Sequence, residues 1–81
     1  MRNSERFLRN VRYYCRLNGM RDHDVEETVG VSSGYITEHI SKGHSVKLDD
    51  AVRFAEVAGK PIDWLSRVEV WRRMTGGVND E

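Results

Sequence analysis

One glycine set between two short helical faces constrains this chain more than any other feature. Over residues 22–43, DHDVEETVGVSSGYITEHISKG, Val25, Thr28 and Val29 recur at i, i+3 and i+4, and Ile36 and Ile40 lie one turn apart. Each set puts its side chains on one face of a helix. Gly30 stands between them and can take the positive φ that ends a helix cheaply, while Val31 fills the corner. Ser32 is a good N-cap for the second helix, because its hydroxyl can accept from an otherwise unpaired backbone N–H. Two short helices joined over a glycine turn make a helix-turn-helix.

The rest of the chain fits around that unit as a small helical domain. Eighty-one residues bury only about 60% of their unfolded surface, so the core must be compact or be completed by a partner chain. No apolar run approaches the roughly 18 residues of a membrane span, and no signal-peptide core is visible, so a soluble, intracellular protein is expected. A lone cysteine, Cys15, has no internal disulfide partner, in keeping with a reducing compartment. Proline occurs once, which leaves long helices uninterrupted. The expected class is all-α.

Asn3 or Ser4 can cap a first helix running to about Leu17, with Phe7, Val11, Tyr14, Cys15 and Asn18 as its buried stripe. Asn18-Gly19 is a stop signal. The second helix starts near Asp22 with four acids in its first six residues (Asp22, Asp24, Glu26, Glu27), read as a solvated face complementing the helix dipole. After the third helix, Lys42-Gly43 supplies a C-cap. A fourth helix follows from Leu48 to Gly59, with Leu48, Ala51, Val52, Ala55 and Ala58 expected on its buried face. Pro61 opens a fifth, carrying Ile62, Leu65 and Glu69 on one face and Trp64, Val68 and Trp71 on another. The domain is expected to span residues 1–74, with 75–81 a flexible tail.

The balanced total of thirteen basic and thirteen acidic residues hides a segregation. Residues 1–21 hold six arginines and one acid, Glu5, whereas residues 22–50 hold seven acids against Lys42 and Lys47. Such a distribution bears on partners in a way the neutral total does not.

With these residues in place the chain resembles the lambda-repressor-like superfamily, the phage-repressor and Cro type of helix-turn-helix domain. The likeness covers residues 8–65. It rests on Gly19, on Gly30-Val31-Ser32, on the Tyr35-Ile36 pair, on Gly43, on the stripe of the fourth helix, and on Ile62-Asp63-Trp64-Leu65. It implies a compact five-helix domain with helices two and three forming the helix-turn-helix. It implies a cytoplasmic, nucleoid-associated protein, bacterial or phage-encoded. Several positions depart from the family pattern. Asp22 stands where a phosphate-binding glutamine is usual, and Glu26 stands where an alanine lets the two helices approach. Cys15 and Ser41 replace a usual Arg–Glu ion pair, and residues 36–43 run one residue longer than usual.

The function implied is sequence-specific binding of double-stranded DNA by a transcriptional regulator, acting by operator occupancy. A recognition helix over residues 33–41 would enter the major groove. Ser33, Gly34, Thr37 and Glu38 are the candidate base contacts, Thr37 for a hydrogen-bonding edge or a thymine methyl, Glu38 for a cytosine amino group. Tyr35, His39, Lys42, His44 and Lys47 are candidate phosphate contacts, with Arg12 and Arg16 supplementing them. So few cations call for a second subunit, and Trp64, Val68 and Trp71 are the candidate homodimer interface. For Trp64 the monomer's own core is the somewhat better expectation, whereas Trp71, further out along the chain, is the better interface candidate. The alternative is a protein-interaction module docking a basic partner through the acidic surface of residues 22–50. No catalytic set, metal-ligand spacing, cofactor motif or small-molecule site is evident, and Cys15 reads as a small core residue.

Overall fold

Apolar residues at three- and four-residue spacing build a long first helix against which most of the others pack. The computed structural model describes residues 3–67, and these form five helices: α1 (Asn3–Leu17), α2 (Asp22–Val29), α3 (Tyr35–Lys42), α4 (Leu48–Ala58) and α5 (Ile62–Arg67). Helix α1 meets α3, α4 and α5, and α4 also supports α2 and α5. The all-α expectation holds for these residues, with every helix close to its expected place. No described helix is long and apolar enough to cross a membrane.

The core gathers Phe7, Leu8, Val11 and Cys15 of α1, Val25 and Val29 of α2, Ile36 of α3, Phe54 of α4 and Leu65 of α5. Phe54 is its centre, fully buried, edge-on to Phe7 with ring centroids 6.5 Å apart and 5.6 Å from the Tyr35 ring. Burying a side chain of that size contributes about 1.5–3 kcal/mol. Asn10 is buried among them, and its amide nitrogen donates to the Leu65 carbonyl at 2.7 Å, tying α1 to α5 across the chain.

Three expectations are corrected. In α4 the buried face is Ala51, Phe54, Ala55 and Ala58, whereas Leu48 is 71% and Val52 42% exposed. At about 100° per residue Val52 lies some 160° around the helix from Phe54, so centring the face on the largest apolar residue turns Val52 outward. In α1, Asn18 lies beyond the helix and is exposed, while Leu8 joins the core. In α2 the inward residues are Val25, Glu26 and Val29; Thr28 is exposed and folds its hydroxyl back onto the Asp24 carbonyl. Cys15 is buried and free, as expected. Burial, and then the charge of Asp22, push its thiol from 9.0 up to about 11.

Candidate functional site

Helix α3, which carries Tyr35, Thr37, Glu38, His39 and Lys42 of the candidate contacts, is anchored on one side and open on the other. Ile36 is fully buried, and Ile40 and Tyr35 pack against the core. Thr37, Glu38, Ser41 and Lys42 are exposed, as the i, i+4 geometry of a helix requires. Ser33 and Gly34 are exposed beside its N-terminal end. All four candidate base contacts are therefore accessible to solvent. The helix begins at Tyr35 rather than at Ser33, so Ser33 and Gly34 belong to the turn before it.

That later start has a chemical cause. Ser32 is exposed and does not cap α3; the N-cap is Gly34, at φ 87°, where a residue with a Cβ is strained. The capping group is the Glu26 side chain, which is 3% exposed. Its Oε1 accepts from the Gly34 N–H at 3.0 Å and its Oε2 from the Ile36 N–H at 2.8 Å. The sequence groups Glu26 with a solvated acidic face, and its burial corrects that expectation. The signal was available: Glu26 follows Val25 and precedes Val29 by three, which places it on the border of the apolar face.

The candidate phosphate contacts differ in how far they are committed within the fold. Lys47 and His44 are exposed in the segment between α3 and α4. Lys42 is exposed but pairs with Glu38 one turn back at 3.2 Å, an exposed ion pair of small energetic weight. Tyr35 donates its hydroxyl to Asp50 at 3.3 Å, and burial with the Asp50 charge and this hydrogen bond pushes its phenol up to about 12. His39 stacks on the Tyr35 ring at 3.7 Å and touches His44 edge-on at 5.4 Å, with its Nδ1 2.9 Å from the Tyr35 carbonyl.

On the other flank Asp22 sits between two arginines. Arg12 meets its carboxylate at 3.0–3.2 Å through Nε and Nη2, and the Arg16 Nη2 lies 3.9 Å away. Two positive charges against one negative leave this cluster net +1. Trp64 is 39% exposed and donates its indole N–H to the Tyr14 hydroxyl at 3.1 Å, so it rests partly on α1. Val68 and Trp71, the other interface candidates, lie outside the described residues, as does the expected tail.

Among the described residues no three His, Cys, Asp or Glu side chains gather into a metal-binding group. No family model, curated protein or solved structure matches this chain.

Proposed function

We propose that the protein is a sequence-specific DNA-binding regulator of the helix-turn-helix type, with α3 entering the major groove and two copies reading a pseudopalindromic site. One observation carries the reading. Ile36 and Ile40 anchor α3 to the core while Thr37, Glu38, Ser41 and Lys42 stand in solvent, with Ser33 and Gly34 at the advancing end. This is a rigid row of hydrogen-bonding side chains on a helix narrow enough for a groove about 12 Å wide. Lys47 and the Arg12–Asp22–Arg16 cluster supply positive charge, and Lys42 adds a cation that Glu38 holds one turn away. The resemblance to phage repressors agrees with this arrangement, and operator occupancy is the simplest mode of action.

The test is selection from a random duplex pool followed by titration of the enriched sequence. An enriched inverted repeat, bound by the wild-type chain and lost in the Thr37→Ala, Lys42→Ala double variant, is the expected result. Each phosphate neutralised should contribute about −0.9 to the slope of log K against log salt. No enrichment, with no duplex binding even at low salt, would refute the reading and favour a protein partner.

A further inference from the structure

We infer that Glu26 is the positioning residue of the recognition helix, an internal anion that fixes the attitude of α3 against α2. The inference deepens the DNA-binding reading and rests on it only for its second arm.

One residue holds both ends of the turn. The Glu26 carbonyl accepts from the Gly30 N–H at 2.9 Å and the Val31 N–H at 3.0 Å, closing α2. Its carboxylate accepts from Gly34 and Ile36, opening α3. The side chain is almost wholly buried, and none of the ion pairs among the described residues involves it. Its negative charge is answered by backbone N–H groups and by the positive end of the α3 dipole.

Neutralising or shortening Glu26 removes that hold in graded steps. Glutamine keeps the volume but offers one acceptor oxygen, so an N–H is left facing an amide NH₂. Alanine removes both side-chain bonds while leaving the carbonyl bonds of the α2 end intact. The Ile36 side chain still anchors α3 in either variant, so the helix persists but its direction is less determined. A helix free to tilt makes base contacts worse than it makes phosphate contacts, because base contacts specify and phosphate contacts only position.

Two measurements on the full chain test this. Amide exchange on the wild type should show Gly34 protected although this turn residue is solvent-exposed. In Glu26→Ala the Gly34 and Ile36 amides should each exchange at least about tenfold faster, the loss of one charge-assisted hydrogen bond apiece. In Glu26→Gln, which retains the packing if the alanine variant does not fold, at least one of the two should do so. An unprotected wild-type Gly34 amide, or unchanged rates in the variants, overturns the assignment. The second arm compares the selected duplex with a random-sequence duplex of equal length, at a temperature where the variant is folded. The ratio of affinities should fall about tenfold or more in Glu26→Gln through weaker specific binding, with non-specific binding little changed. An unchanged ratio overturns the positioning role, since a purely stabilising residue leaves it alone. If the wild-type chain binds neither duplex, the DNA reading falls by itself, and exchange at Gly34 and Ile36 still decides whether Glu26 holds the turn.

Discussion

Replacing Asp22 by asparagine should make the protein bind DNA more tightly while making it slightly less stable. Asp22 is the single acid facing two arginines, with Arg12 at 3.0 Å and Arg16 at 3.9 Å. The Asp22 and Arg12 side chains are each 23% exposed, so the pair is screened by solvent and its loss costs about 1 kcal/mol or less. The cluster changes from net +1 to net +2, and Arg12 is released from a carboxylate it meets through two nitrogens. If one or both arginines then reach phosphates, the salt slope steepens by about 0.9 to 1.8. Taking 1 M salt as the point where counterion release contributes nothing, each new phosphate contact strengthens binding about eightfold at 0.1 M. The assay is fluorescence anisotropy of the selected duplex from 0.05 to 0.3 M salt (a range of about 0.8 in log units, wide enough for the slope), paired with urea unfolding. A variant with unchanged slope and unchanged affinity would show that this flank never approaches the duplex, and Arg12 and Arg16 would leave the list of phosphate contacts.

Three further outcomes are expected. Phe54→Ala should cost about 3–5 kcal/mol in urea unfolding and Val52→Ala about 1 kcal/mol or less, because Phe54 is fully buried and Val52 42% exposed; equal costs would return α4 to the face expected from its sequence. Gly30→Ala should cost about 1–2 kcal/mol, entirely from the backbone at φ 92°, since no atom lies within 4 Å of the added Cβ; a neutral substitution would mean that the turn relaxes freely. Stability should fall as pH rises from about 9 towards 11, because the unfolded thiol of Cys15 loses its proton near 9.0 while the buried one keeps it to about 11. The linked loss is at most about 3 kcal/mol, and Tyr35 adds to it above pH 10. Urea titrations of the wild type and Cys15→Ala across pH 8–11, roughly the span of the two thiol values, should differ in slope; parallel profiles would refute the assignment.

What was legible in the sequence was everything governed by local chemistry. Helix ends followed from glycines at Gly19, Gly30, Gly43 and Gly59, all at positive φ, and inward faces followed where few alternatives compete, as with Ile36 and Ile40 of α3 and with Phe7, Val11 and Cys15 of α1. The misreadings share one cause, that several faces of a short helix satisfy the same spacing and only the tertiary neighbour chooses between them. In α4 the stripe from Leu48 and the stripe through Phe54 both run at three- and four-residue intervals, and contact with Phe7 and Tyr35 selects the second. Ser32 has the right chemistry for a cap, but a longer side chain from the preceding helix reaches the same N–H groups from inside the fold. Local propensity ranks candidates for a role; it does not see a competitor that reaches in from the preceding helix.

The same limit decides how the charge segregation is weighed. Seven acids in residues 22–50 suggest a surface hostile to a polyanion and suited to a basic partner. The fold answers five of the seven from within. Asp22 meets Arg12 and Arg16, Asp24 accepts from the Arg21 N–H, Glu26 is spent on the turn, Glu38 pairs with Lys42, and Asp50 holds Arg53 and Tyr35. Asp24, Glu27, Glu38 and Asp49 remain exposed, and with Glu38 matched by Lys42 the acidic surface open to a basic protein domain is smaller than the sequence suggests. A formal charge buried against backbone N–H groups or matched within 4 Å projects little field into solvent. Glu26, the one acid of the seven that is buried, is spent inside the molecule on α3, which weakens the case that this segment's acids set against the proposed duplex binding.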